Sequence, residues 1–323
     1  MSRRTLILGV GGFLGSHLAR HLLDAGWEVT GVVRDPHAPM LERRLGDIWE
    51  ELTLVVGDAE DPALLARVLP GADAVFPFAG LSGAADSMKR PIVDLQANGR
   101  AQLLLLEALR RHNPDAHVVY PGSRLQYGPC QRLPVDENHP QRPVSVYGVH
   151  KLLGEQYHRL YALAYEIPTT VLRISNPYGP HQDRPDARFG IVGTFLARAA
   201  RGEDLHVYGG GHQLRDYIFI GDLVRLCELA VTSPRSAGQA FNASGPEPVT
   251  LREMAETVVA TVGSGSAVVD APWPEDEGAV ETGDYVGDTQ LATRELGWQP
   301  EVSLARGLTA TWAALEPVLA ATN

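Results

Sequence analysis

Tyr147-Gly148-Val149-His150-Lys151 holds the residues of this chain best suited to chemistry. On a helix, a tyrosine and a lysine four residues apart share a face, one turn from each other. A phenol titrates near pH ~10 in water, too high for a base at neutral pH. A cation held one turn away favours the phenolate and lowers that pKa. The pair then reads as an acid/base group that moves a proton on and off a sugar or alcohol hydroxyl. Ser123 follows the predicted strand His117-Val118-Val119-Tyr120, and ligands bind at strand C-termini in open parallel sheets. Its hydroxyl and that of Tyr147 could therefore converge on one substrate oxygen. The same residues also fit a duller reading: a solvated surface pair on a helix, and a serine that only forms a turn. The surrounding elements decide between them.

The first of these is Thr5-Leu6-Ile7-Leu8, a predicted buried strand that runs into Gly9-Val10-Gly11-Gly12-Phe13-Leu14-Gly15. A helix is expected from Ser16 to Ala25, with Leu18, Leu22 and Leu23 at helical spacing. In the order strand, glycine turn, helix, Gly9, Gly12 and Gly15 let the backbone turn tightly and approach a pyrophosphate seated on the helix N-terminus. The bland alternative is an ordinary strand-to-helix turn. The next strand, Trp27 to Val33, ends in Arg34-Asp35-Pro36 where an adenosine ribose would sit. An acid commonly meets a free 2′-hydroxyl at this point. Arg34 would instead take a 2′-phosphate in bidentate fashion, or be a solvated strand-end arginine. Asp35, one step on, could still serve the ribose. After the third strand, Leu52 to Val56, Asp58 is placed to hydrogen-bond an adenine edge; otherwise it caps the helix starting near Asp61-Pro62. Ala74 to Gly80 is a fourth strand with a small-residue turn, and a helix from about Ile92 to Arg111 precedes the fifth. Strands alternating with helices predict a doubly wound, parallel α/β (Rossmann) sheet.

Composition sets limits on the function. The 323 residues suit one large domain or two modest ones. A formal net charge of -11 without a basic cluster argues against a nucleic-acid partner. No apolar run reaches spanning length, so no membrane helix is expected. Two distant cysteines, Cys130 and Cys227, suggest neither a disulfide framework nor a zinc site, and fit a reducing cytoplasm.

In the second half, Pro168 to Ile174 is a sixth strand. The loop from Asn176 to Gly190 is long enough to suggest a cover over substrate. A helix from about Phe189 to Arg201 and short strands near His206–Tyr208 and Tyr217–Ile220 follow. Asp222 reads as the cap of a helix from Leu223 to Ala230. Thr250 and Glu253 form the pattern of a capping box. The expected organisation is a Rossmann domain over 1–174 and a smaller, mainly substrate-binding lobe over 175–323, with some chain returning to the main sheet.

Taken together, these stretches carry a resemblance. The glycine turn, Ser123 ahead of Tyr127-Gly128, Tyr147 with Lys151, the run Leu172 to Pro180 and Arg215-Asp216-Tyr217-Ile218 occur in one order at one spacing. The chain resembles the NAD-dependent epimerase/dehydratase branch of the extended short-chain dehydrogenases/reductases, of which UDP-glucose 4-epimerase is a well-known member. The likeness extends from about Thr5 to the run Glu295 to Pro300. It implies Tyr147 as proton acceptor, Lys151 on the nicotinamide ribose, and Ser123 on the reacting oxygen. It implies a dinucleotide, NAD or NADP, held by Gly9, Gly12, Phe13, Leu14, Gly15, Asp58, Ala59, Ala79, Gly80 and Leu81 together with Tyr147 and Lys151, and Asn98 in the family's helix motif. It places Asn176 and Arg215 on the substrate's diphosphate. Such proteins pair as homodimers through a four-helix contact.

Two departures bear on the substrate and the reaction. Where the family commonly has Arg-x-Gly-Asp, this chain has Glu281-Thr282-Gly283-Asp284, and a glutamate facing a diphosphate would repel it. Where dehydratases carry Asp-Glu after the catalytic residue, this chain has Arg124-Leu125. The reading that results is a nucleotide-sugar epimerase working through a transient keto-sugar. A reductase of keto-sugars using external NADPH is the alternative that Arg34 favours. A silent dinucleotide-binding regulator would need none of Ser123, Tyr147 and Lys151.

Overall fold

A computed structural model describes residues 2–182 and 190–320. The chain alternates strands and helices in its first half: β1 (Arg4–Leu8), α1 (Phe13–Asp24), β2 (Glu28–Val33), α2 (Pro39–Leu45), β3 (Thr53–Val56), α3 (Pro62–Val68), β4 (Ala74–Pro77), α4 (Ala84–Lys89) and α5 (Pro91–Asp94). A wider π-type turn, Leu95–Arg100, joins α5 to α6 (Ala101–His112); β5 (His117–Ser123), α7 (Val146–Tyr165) and β6 (Thr169–Ile174) complete this half. The helix expected to run unbroken from about Ile92 is therefore interrupted by that turn, which buries Asn98.

These strands lie in one parallel sheet of order β10-β6-β5-β4-β1-β2-β3, where β10 is Ala240–Ala243. Their sequences explain why. After Arg4, every residue of β1 is buried, and β4 and β6 are buried throughout. Covered on both faces, such strands are continuous apolar runs rather than alternating ones. The strand order reverses between β1 and β4, so a crevice opens beyond their C-terminal ends, where ligands bind in this architecture.

The second half supplies β7 (Asn176–Tyr178), α8 (Ile191–Ala200), β8 (Leu205–Tyr208), β9 (Leu214–Phe219) and α9 (Ile220–Thr232). After β10 come β11 (Pro248–Thr250), α10 (Leu251–Val262), β12 (Val268–Ala271), α11 (Glu275–Gly278), α12 (Gln290–Leu296) and α13 (Leu304–Ala320). A small sheet, β11-β9-β7, and the pair β12-β8 pack with α8, α10 and α13 around their own core, which includes Phe195, Leu205, Met254 and Leu308. We place the boundary between the lobes at the end of β6. α9, which packs on α1, and β10 are then the chain that returns to the main sheet.

Several sequence-based expectations change here. α1 begins at Phe13 rather than Ser16, with Gly12 as its N-cap residue. α9 begins at Ile220, so Asp222 lies inside its first turn instead of capping it. Its carboxylate accepts the Glu301 and Val302 backbone N–H groups at 2.9 Å and pairs with Arg225. The Thr250–Glu253 capping box is present at the start of α10. Of the loop 176–190, residues 176–178 form β7 and 183–189 lie outside the described residues, as does Phe189, the expected start of α8.

Candidate active site

The glycine turn is built for close approach. Gly9 has φ +85°, and a Cβ on it would lie 2.7 Å from the Ala79 nitrogen at the end of β4. A side chain at Gly15 would collide with the Gly9 carbonyl oxygen. The loops after β1 and β4 are thus pressed together, and only glycine permits it. Gly12 provides no side-chain cap, so the first N–H groups of α1 face the crevice as donors for an anion.

A cavity of about 530 Å³ lies on one side of this turn, lined by Gly9, Gly12, Arg34, Asp58, Ala59 and Ala79. On the other side a cavity of about 430 Å³ is lined by residues including Phe13, Leu14, Gly15, Ser123, Tyr147 and Lys151. Both share Gly12 and the stretch Pro77 to Leu81, so they form one groove running over the glycine turn. Asn98 holds the shared rim, donating to the Leu81 carbonyl at 3.1 Å. The groove, its glycine floor and its uncapped helix N-terminus fit a dinucleotide. Arg34 is exposed at the far end and makes no hydrogen bond or ion pair among the described residues. Asp35 accepts from the His37 N–H and Asp58 from the Glu60 N–H, both at 2.9 Å, while Asp61 caps α3.

At the inner end the three expected side chains meet. Ser145 caps α7, its hydroxyl accepting the Gly148 N–H, which sets the first turn carrying Tyr147. The Tyr147 N–H donates to the Ser87 hydroxyl at 2.9 Å. The Ser123 hydroxyl lies beside the Tyr147 phenol and favours its charged form. Lys151 donates from Nζ to the Pro121 carbonyl at 2.8 Å, and its ammonium lies 5.7 Å from the Tyr147 ring centre. The electrostatics differ from the sequence-based expectation. Burial raises the Tyr147 pKa to about 12, against the lowering effect of Ser123, and Asp94 raises it further. Burial also lowers Lys151 to about 8, opposed by Asp94. Desolvation therefore outweighs the help a cation gives the phenolate.

Arg215 also departs from its expected role. It does not line the cavity that holds Tyr147. Its guanidinium donates to the Leu214 carbonyl at 2.8 Å and the Gly283 carbonyl at 2.6 Å, and pairs with Glu281. Glu281 thus pairs with the arginine on β9 rather than facing a ligand. Asn176 does line the cavity, and its amide donates to the Asp216 carbonyl at 2.7 Å.

Sequence reasoning missed the support behind Ser123. The Ser123 N–H donates to Gln126 Oε1 at 2.7 Å, and Gln126 Nε2 donates to Glu155 at 2.6 Å. Glu155 is fully buried and accepts from Arg173 Nε at 3.0 Å. Burial pushes the Glu155 pKa up, but Arg173 more than offsets this and the net shift is downward. A signal was present: Tyr147, Lys151 and Glu155 stand at four-residue steps on one helix face, so the glutamate had to point inward with them.

The model of the family described as "NAD dependent epimerase/dehydratase family" matches residues 5–244. The UDP-glucose 4-epimerase of Mycolicibacterium smegmatis is 30% identical over 314 residues, covering 95% of this chain and 97% of the relative. The crystal structure of a UDP-glucose 4-epimerase from Thermotoga maritima, with UDP-glucose, superposes with a TM-score of 0.88 at 27% identity, covering 98% of this chain and 99% of that one. DesIV, a dTDP-glucose 4,6-dehydratase from Streptomyces venezuelae whose structure contains NAD, gives 0.87 at 27% identity, with 97% of each chain covered.

Proposed function

The chain belongs to the NAD dependent epimerase/dehydratase family, of the extended short-chain dehydrogenase/reductase type, and from that premise we propose that it is a nucleotide-sugar epimerase, specifically a 4-epimerase. The observation that carries this reading is the convergence of Ser123, Tyr147 and Lys151 at the inner end of a dinucleotide-shaped groove. NAD, bound there, would accept and return a hydride. Tyr147 takes the proton of the substrate hydroxyl, Ser123 holds the same oxygen, and Lys151 keeps positive charge beside the phenol. After the keto-sugar turns, Tyr147 gives the proton back to the oxygen on the other face. The family's dehydratases, which the DesIV likeness brings to mind, need an acid pair next to the catalytic residue. Here Arg124 and Leu125 occupy those positions, which favours epimerisation over elimination of water.

The second reading is a keto-sugar reductase using NADPH, favoured by the unpartnered Arg34 at the adenosine end. Two measurements separate the readings. The nucleotide that co-purifies is identified by absorbance and mass: retained NAD supports the epimerase, and an empty site that binds NADPH supports the reductase. Interconversion of UDP-glucose and UDP-galactose is then followed without added cofactor. We expect Tyr147→Phe to remove nearly all turnover and leave cofactor binding intact, since the phenol relays the proton and is not the main anchor. Near-full activity in folded Tyr147→Phe would sink the mechanism. We further assign the protein to the cytoplasm as a homodimer; the two free cysteines fit a reducing compartment.

A further inference from the structure

Among the described residues, two cations and no carboxylate line the cavity around Ser123: Lys151 and Arg124. Lys151 is committed to the Pro121 carbonyl and the Tyr147 ring. Arg124 directly follows Ser123, and its contacts are sparse. Nε reaches Asn176 Oδ1 at 3.4 Å and Nη1 reaches the Thr282 hydroxyl at 3.2 Å, both neutral acceptors. The guanidinium carbon stands 5.5 Å from the Tyr285 ring centre. Nη2 has no acceptor among the described residues, and no carboxylate there lies within ion-pairing distance. Two acids lie nearby and act on Arg124 only through their field, neither pairing with it, although Asp216 Oδ1 has no hydrogen-bond partner of its own among the described residues. Glu281 pairs with Arg215 and accepts the Gly283 N–H, and Asp216 accepts the Gly287 N–H at 2.8 Å.

A half-buried guanidinium without a counter-charge is costly unless a ligand supplies one. Burial and the like charge of Arg215 both lower the Arg124 pKa, as expected of a cation that lacks its partner. The protein carries a net charge of -11, yet the wall beside its reacting serine is positive. We propose that Arg124, and not Arg215, binds a substrate oxyanion in this cleft, presenting its open Nη2 edge to a diphosphate or a sugar-carboxylate oxygen. The exchange of charges is then coherent. Glu281 turns Arg215 into a brace between β9 and the loop at 283, and Arg124 supplies the positive charge from the other wall. The inference deepens the nucleotide-sugar reading and rests on it only for the identity of the anion.

Calorimetric titration of wild type, Arg124→Gln, Arg124→Lys and Arg215→Gln tests it, with inorganic pyrophosphate, UDP, dTDP, GDP, CDP, UDP-glucose and UDP-glucuronate as probes. Arg124→Gln should weaken binding roughly ten- to a hundred-fold, the worth of a charge-assisted contact. Arg124→Lys keeps the charge without the fork and should lose less, and it serves as the reference should the glutamine variant not fold. Arg215→Gln should lower the melting temperature but cost less affinity than Arg124→Gln. Losses shared by every diphosphate, pyrophosphate included, identify the diphosphate as the anion; a loss confined to UDP-glucuronate identifies the carboxylate. The inference is overturned if the Arg124 variants bind all probes as wild type does, if wild type binds none, or if Arg215→Gln is the more damaging change. If pyrophosphate binds in an Arg124-dependent way while UDP, dTDP, GDP and CDP do not, the inference stands and the nucleotide-sugar reading fails.

Discussion

Tyr147 and Lys151 are both withdrawn from water, and each loses stability in its charged form. For Lys151 the folded pKa, about 8, lies below its ordinary value of 10.5. Between these values the unfolded chain binds more protons than the folded one, so stability from this group rises with pH across that window. Below about 8 the lysine is charged in both states, and its full desolvation cost is present. Tyr147 has the opposite sign: its pKa is raised from 10.0 to about 12, so its contribution falls as pH climbs through that interval. The melting temperature of wild type relative to Lys151→Met should therefore increase from pH 7 to pH 9.5. A constant difference would show that the lysine is solvated or otherwise compensated. The pairing of Tyr147 with Lys151 was legible from their spacing, but the direction of the phenol's pKa was not. Spacing reveals which groups are neighbours; burial of the phenol and the nearby charge of Asp94 are tertiary properties.

The ends of β1, β2, β4 and β5 carry the cofactor groove, and each had a local signature: an apolar run ended by glycine, a small residue or serine, or at β2 by Arg34-Asp35. The buried brace behind Ser123 had none comparable. Gln126, Glu155 and Arg173 come from a turn, a helix and a strand that meet only once β5 and β6 pair. Arg173 even sits between Leu172 and Ile174 in a strand buried throughout, where its charge gave no hint of its partner. The partner of Glu281 was hidden for the same reason, since Arg215 lies 66 positions away. At the end of β2, Arg34 allows a test at the scale of the strand. A bidentate contact with a 2′-phosphate is worth about 1.5–3 kcal/mol, roughly ten- to a hundred-fold in affinity. Arg34→Ala should then weaken NADP(H) more than NAD(H). Equal losses, or none, would make Arg34 a surface residue with no part in choosing the cofactor.

At the scale of the molecule, one surface is out of keeping with the rest. Along α7, Val149, Leu153, Gln156, Leu160 and Leu163 follow one another at steps of four, three, four and three residues. That is the spacing of a seam between packed helices. Leu163 is 85% exposed and Leu160 54%, so this seam faces solvent in the single chain. Beside it, Met88, Ile92 and Leu95 repeat the four-then-three step across α4, α5 and the π-type turn, with Ile92 66% exposed. Leu106, by contrast, is fully buried in the main core and is no part of this surface. The exposed residues form one face because α7 lies against the α5–α6 segment, packed closely enough that a Cβ on Gly99 would lie 3.3 Å from a Leu153 methyl carbon. Two such faces related by a two-fold axis would bury each other as a four-helix contact. The bland alternative is a tolerated apolar surface, since single exposed leucines are common. Their regular spacing on adjacent helices argues for a partner of the same kind. Sedimentation at micromolar concentration should give a dimer, and Leu160→Lys combined with Leu163→Lys should give a folded monomer. A wild type that sediments as a single monomeric species would rule the dimer out.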